Sequence, residues 1–195
     1  MHCRLKGLVA GIDEAGRGPL AGPVVSSCVI WKDIPEHKGE INDSKLLSEG
    51  QREGLFKWII GHAYSIGIGI ADHEEIERMN ILKASLLSME RALKNTRINP
   101  DLLLIDGNHG IEGFPDAKTI IKGDRKCFFI ACASIIAKVT RDRIMNAYHN
   151  LYPVYNFKKN KGYPTKDHRT AIEQYGISPI HRKTFKGVRE YLDRC

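Results

Sequence analysis

The sequence predicts an α/β fold, a mixed sheet flanked by helices with a small basic helical appendage at the C-terminal end. Three observations predict it: three strand-like segments near the start, helical and strand-like segments in alternation after them, and a final stretch of abruptly different composition. With 195 residues, 42% of them hydrophobic and 27% charged, the chain can bury a core, and its composition excludes wholesale disorder or a fibrous repeat.

Leu8 to Ile12 and Val24 to Trp31 are rich in β-branched and other apolar residues. They flank a turn-forming stretch from Gly16 to Pro23, so they read as a hairpin-like strand pair. Ser48 is placed to cap a helix that runs to about Ile60. In Tyr64 to Ala71, Ile66, Ile68 and Ile70 alternate with small residues, the period of a third strand. Leu82, Leu86, Met89 and Leu93 recur at helical spacing and predict a helix from Ile81 to Asn95, with Pro100 ending the unit. Leu102 to Ile105 is a short apolar run of the kind buried on both faces of a sheet, and Thr119 to Ile121 is a further strand. Cys127 to about Asn150 predicts a long amphipathic helix. Phe128, Cys132, Ile135 and Val139 lie on its inner side, and Lys138, Arg141 and Arg143 on a basic far side. Residues 1–150 then form the core, and residues 151–195 an appendage packed on it, within one domain overall.

The charge is unevenly placed. The chain carries 30 Lys plus Arg against 23 Asp plus Glu, a net +7. Met1 to Tyr155 hold 20 basic and 19 acidic side chains, whereas Asn156 to Arg189 hold 9 and 2. Lys158, Lys159, Lys161, Lys166, Arg182 and their neighbours alternate there with Tyr155, Phe157, Tyr163, Tyr175 and Phe185, a mixture suited to phosphates and stacked rings, or else a solvated basic tail. Five cysteines with no C-x-x-C pair argue against a disulfide framework or structural zinc and for reduced thiols. The first apolar stretch is broken by Asp13 and Glu14, so neither a signal peptide nor a membrane span is expected, and the expected compartment is the cytoplasm.

Carboxylates follow the apolar runs at three places: Asp13 and Glu14 after Val9 to Ile12, Asp106 after Leu102 to Ile105, and Asp124 just before the long helix. Each has a structural alternative, as polar residues closing a strand, an Asx turn and a helix N-cap respectively. Gathered at one site, four carboxylates repel one another unless they bind cations, and hard oxygen ligands favour Mg²⁺ or Mn²⁺. Two such ions about 4 Å apart suit in-line displacement at a phosphodiester.

The segment Asp13-Glu14-Ala15-Gly16-Arg17-Gly18-Pro19-Leu20-Ala21-Gly22-Pro23-Val24-Val25 resembles the signature of ribonuclease HII, the endonuclease that cuts the RNA strand of RNA·DNA hybrids and incises at ribonucleotides embedded in DNA. Further family segments are resembled in order by Asn42-Asp43-Ser44-Lys45, Leu104-Ile105-Asp106-Gly107-Asn108, Lys122-Gly123-Asp124, Ala133 through Asp142, and Lys161-Gly162-Tyr163-Pro164-Thr165. Together they span nearly the whole chain.

The resemblance implies a ribonuclease H-like fold, with Asp13, Glu14, Asp106 and Asp124 as the catalytic set holding two divalent ions, Mg²⁺ or Mn²⁺. It implies that Gly16, Arg17 and Gly18 recognise the ribonucleotide and its junction with DNA, glycines letting the backbone approach a 2′-hydroxyl. Tyr163 resembles the family tyrosine that packs on the following deoxyribose. Lys45, Ser134, Lys138 and Arg141 are candidate contacts to the nucleic-acid backbone, and Lys122 a candidate neutralising charge near the metals. His109, His168 and His181 are read as structural, since metal-activated water makes a histidine base unnecessary. Two positions depart from the family pattern: Leu46 stands where many relatives have a second lysine, and Asn160 where a histidine commonly precedes Lys161. The expected partners are RNA/DNA hybrid and ribonucleotide-containing DNA, with no membrane, for a monomeric enzyme. The alternative is a noncatalytic hybrid-binding module, which has no use for four mutually repelling carboxylates.

Overall fold

A computed structural model describes residues 7–35, 41 and 47–194. Strands β1 (Val9–Ala15) and β2 (Val24–Trp31) pair antiparallel, and β2 pairs antiparallel with β3 (Ser65–Ala71). On its other side β1 runs parallel to β4 (Leu102–Asp106), which is parallel to β5 (Lys118–Ile120). The result is a mixed five-stranded sheet of order β3-β2-β1-β4-β5.

Helices cover both faces, as the alternation of side chains along each strand requires. On one face Val9, Val29 and Leu104 pack against Phe56 and Ile59 of α1 (Glu49–His62) and against Ile130, Ile135 and Ile136 of α4 (Phe128–Leu151). On the other, Ala10, Ile12, Ile30 and Ile105 meet Met89, Ala92 and Leu93 of α3 (Ile81–Thr96). Gly11 is where β1 crosses the start of α4: a Cβ there would lie 2.2 Å from the Phe129 carbonyl, so any side chain would push helix and sheet apart. Asp13 follows two residues later on that same α4 face.

Several expectations shift in detail. Strand β1 runs on through Asp13 and Glu14, which pair with Ser27 and Ser26 of β2 and so are rigidly carried by the sheet. Ser48 does cap α1, in a reciprocal box with Gln51. The short helix α2 (His73–Met79) was not anticipated, although Asp72 and Glu75 form the same kind of box at its start.

After α4 the chain continues through a 3₁₀ turn (Pro153–Tyr155), α5 (Phe157–Asn160), α6 (Lys166–Tyr175) and a final 3₁₀ turn (Arg189–Arg194). Phe157, Ile172, Ile180 and Val188 make a core of their own with Leu20, Ala21 and the Met145 side chain of α4. This stretch therefore docks on the β1–β2 loop and α4, where the sequence suggested a place beside the sheet. Tyr155 and Phe157, expected as stacking rings for bases, are core residues stacked on each other at 5.4 Å.

Candidate active site

The parallel register Ile12↔Ile105 leaves Asp13 and Asp106 as the next residues on adjacent strands. One carboxylate oxygen from each of Asp13, Glu14 and Asp106 lies within 4.8 Å of the others. Asp13 is only 5% exposed. Burial, then the Glu14 and Asp106 charges, push its carboxyl well above the usual range, against a hydrogen bond with Ser134. Burial also raises Glu14, opposed by Arg17, whose Nη1 donates to Glu14 Oε1 at 3.2 Å. Glu14 Oε2 is buried with no hydrogen-bond partner.

Three crowded acids and an unpartnered carboxylate oxygen are costly without a counter-charge, and a hard divalent cation fits them: all donors are oxygens, and such an ion would supply the missing charge. The Gly123 amide donates to Asp106 Oδ1 at 2.6 Å and fixes that carboxylate. Asp124 is the next residue on that 3₁₀ turn, also 5% exposed, and stands outside the three-carboxylate group. It does not cap α4, whose N-cap is Cys127.

A cavity of about 260 Å³ opens over these acids, bordered by Gly16, Arg17 and Gly18 on one side and by Ser134, Lys138 and Tyr163 on the other. Tyr163 is 42% exposed. Lys138 is paired with Asp142 at 2.6 Å. A larger cleft of about 540 Å³, between the end of α3 and residues 111–114, holds only scattered charges such as Glu90, Lys94 and Glu112, so volume and chemistry lie apart.

Other candidates are placed differently from expectation. Lys45 and Leu46 lie outside the described residues. Arg141 is not on an exposed basic face: it is 1% exposed, because the C-terminal segment covers that side of α4. Its guanidinium donates to the carbonyls of Ala21, Pro23 and Lys161, so it cannot reach a phosphate. Arg182, counted above with the basic tail, is fully buried and donates to the carbonyls of Gly16, Arg17, Pro19 and Gly22. Burial lowers Arg141 to about 10 and Arg182 to about 9, values that leave both charged at neutral pH. Lys161 donates to Asn146 Oδ1, which leaves Lys158 and Lys159 as the exposed cations of that turn.

Asn160, the departure from the family pattern, is structural. Its side chain donates to the Tyr155 carbonyl and accepts from the Gly162 amide. His168 and His181 are buried and joined Nε2 to Nε2 at 3.0 Å. Ser178 N–H donates to His181 Nδ1, and His168 Nδ1 faces the Tyr163 carbonyl, which can only accept. Those two ends fix both tautomers and require both rings neutral; burial lowers both, His181 to about 3. His109 is exposed and away from the cavity lining, and Lys122 is exposed with a left-handed backbone.

Comparison with known proteins agrees with this geometry. A sequence model described as Ribonuclease HII matches residues 10–188. Ribonuclease HII of Syntrophus aciditrophicus (strain SB) is 52% identical over 179 residues, 92% of this chain and 84% of that relative. Ribonuclease HII of Geobacter sulfurreducens is 51% identical over 189 residues, 96% and 87% of the two chains. Among solved structures, the ribonuclease H2 from Pyrococcus horikoshii OT3 superposes with a TM-score of 0.78 at 29% identity, covering 96% of this chain and 98% of that one. The RNase HII in a PCNA complex from Archaeoglobus fulgidus gives 0.79 at 26%, covering 96% and 100%. Bst-RNase HIII in complex with Mn²⁺ shares the fold, with a TM-score of 0.71 at 16% identity over 96% of this chain and 70% of that one.

Proposed function

The chain belongs to the ribonuclease HII family and is thus a ribonuclease H, a hydrolase acting on RNA/DNA hybrids; from that premise we propose that it is a two-metal endonuclease that also incises duplex DNA 5′ to embedded ribonucleotides. The observation that carries this reading is the meeting of Asp13, Glu14 and Asp106 within 4.8 Å, one Glu14 oxygen left unpartnered, under a cavity walled by Gly16, Arg17, Gly18 and Tyr163.

Asp13, Glu14 and Asp106, with Asp124 from the adjoining turn, would hold two Mg²⁺ or Mn²⁺ ions. Bound there, such ions supply activation of the attacking water and neutralisation of charge at the phosphodiester. The protein's own part is to hold the acids. The sheet fixes Asp13 and Glu14, and the Gly123 amide fixes Asp106, so little reorganisation is needed when charge develops.

Gly16, Arg17 and Gly18 present main chain to the ribonucleotide, where a 2′-hydroxyl can both donate and accept. Arg17 stands half exposed beside Glu14 and can reach a phosphate. Tyr163 offers a ring face to the next sugar, and Lys138 faces the same cavity. Residues 151–195, with Lys158 and Lys159 exposed, serve as the substrate-binding appendage that holds the duplex against an otherwise repelling acidic site. No helix among the described residues is long and apolar enough to cross a membrane. The nucleic-acid substrate supports action in the cytoplasm, and a substrate cavity lined entirely by this one chain supports a monomer.

The test is cleavage of matched duplexes containing one ribonucleotide, a ribonucleotide run or none, with Mg²⁺, Mn²⁺ or chelator. A cut 5′ to the lone ribonucleotide, leaving a 5′-phosphate and abolished by chelator, is expected. Cutting only within the run, or metal-independent cutting, would overturn the finer reading.

A further inference from the structure

The loop Gly16–Pro23 is held from beneath by two buried arginines. Arg182 takes the carbonyls of Gly16, Arg17, Pro19 and Gly22 with its side chain and that of Leu20 with its backbone amide. Arg141 takes those of Ala21 and Pro23. Among the described residues, only Gly18 in this loop has a carbonyl left without such a donor. Neither arginine forms an ion pair with a carboxylate among the described residues, so both positive charges are spent on main-chain dipoles. The electronegative carbonyl ends of Gly16 and Arg17, two residues of the cavity lining, are thereby engaged by Arg182 and so repel a polyanion less.

Arg141 has a second attachment. Its Nη1 donates to the Lys161 carbonyl at 2.9 Å, and its guanidinium lies 6.0 Å from the centre of the Tyr163 ring. The Leu20 amide donates to the Gly162 carbonyl at 2.8 Å, across the same seam. A Cβ on Gly16 would lie 2.1 Å from Arg141 Nε, so the loop rests directly on this side chain. One planar group therefore touches both halves of the substrate cavity, the loop and the turn that carries Tyr163.

We propose that Arg141 and Arg182 are positioning residues for specificity. Arg182 sets the path of the loop, and Arg141 sets the spacing between the loop and Tyr163, so that a 2′-hydroxyl and the deoxyribose one step further along the strand are read together. The inference rests on the single-ribonucleotide reading above. A lone ribonucleotide can be recognised in one register only, so a changed spacing forfeits it. A continuous hybrid offers a 2′-hydroxyl at every step, so a loosened loop still finds a cleavable register. Lysine keeps the charge but lacks the planar fork that spans several carbonyls.

The experiment compares kcat/KM on a single-ribonucleotide duplex and on a continuous hybrid for the wild type and for Arg141→Lys and Arg182→Lys, with thermal melting of each. The ratio of the two values is expected to fall at least about tenfold in both variants. A ratio unchanged within about twofold, both substrates falling together, is the signature of a merely structural role and overturns the proposal. If a lysine variant does not melt cooperatively, Gly162→Ala decides: at φ +82, with its added methyl 2.7 Å from the Ala21 carbonyl, it strains the same seam with both arginines retained in the sequence, and its melting is measured alongside. The same fall in ratio supports the spacing role and an unchanged ratio refutes it. A wild type that fails to incise at a single ribonucleotide removes the underlying reading instead, and is seen before any variant is measured.

Discussion

Replacing Asp106 by Asn is expected to make the metal-free protein more stable while destroying its activity. Asn keeps the Oδ1 acceptor for the Gly123 amide at 2.6 Å and changes little in shape, so the main loss is one negative charge. That charge raises the carboxyls of both Asp13 and Glu14, from oxygens no more than 4.8 Å away. At that distance and an effective dielectric near 20, two full charges repel by about 3 kcal/mol. Burial already disfavours the charged forms of Asp13 and Glu14, which reduces the repulsion to be relieved, so the expected gain is about 1–3 kcal/mol, or roughly 2–12 °C in melting temperature for a chain of this size. The assay is thermal unfolding in chelator and again in saturating Mg²⁺ or Mn²⁺. Metal at a thousand times its dissociation constant adds about 4.1 kcal/mol to the wild type and little to the variant, so the order of the two melting temperatures reverses. Hybrid cleavage by D106N should fall about a hundredfold or more. A D106N protein that melts below the wild type in chelator refutes the account of the site as a store of carboxylate repulsion.

Three further outcomes follow from the same structure. Tyr163→Ala should weaken incision at a single ribonucleotide at least about tenfold more than cleavage of a continuous hybrid, measured as kcat/KM; equal losses would contradict junction sensing. His181 is held near 3 against an ordinary 6.5, so the unfolded chain takes up its proton first. Its stabilisation is complete above pH 6.5 and is lost as pH falls toward 3, about 2 kcal/mol by pH 5. Urea unfolding at pH 7.5 and pH 5 should show that loss in the wild type and a smaller one in His181→Gln, and identical pH dependences would exclude it. Changing Lys158 and Lys159 together to Ala should reduce the slope of log affinity against log salt by about 1–2, and an unchanged slope would assign them to solvent alone.

The core and the three carboxylates that meet at the end of β1 and β4 were readable from residue order because both depend on local pattern. Apolar period two marked β3, continuous apolar runs marked β2 and β4, helical spacing marked α3 and α4, and a carboxylate after an apolar run marked each acid. What was not readable depends on partners far away in the chain. Arg141 occupies a helical position that reads as solvent-facing, and only the docked C-terminal segment makes it interior. Arg182 sits in a basic stretch and looks like one more phosphate contact, since its side chain's carbonyl partners lie 160 to 166 residues earlier and leave no trace in its neighbourhood. Tyr155 and Phe157 were misassigned for the same reason: an aromatic among lysines is ambiguous until the surface it covers is known. The Asp72 and Glu75 box before α2 was a local signal and could have been found.

The sequence distance between Arg182 and the loop it holds has a consequence for synthesis. A ribosome delivers Gly16 to Gly22 first and Arg182 some 160 residues later, the separation across which Arg182 Nη2 meets the Gly16 carbonyl being 166. The strands bearing the acids can pair while the chain is still growing, but the carbonyls of Gly16, Arg17, Pro19 and Gly22 have no side chain to hold them until Arg182 emerges. A nascent chain that stops short of Arg182 therefore has its acids in place on the sheet before this loop is held, and on the proposed reading selectivity arrives later than the carboxylate cluster does.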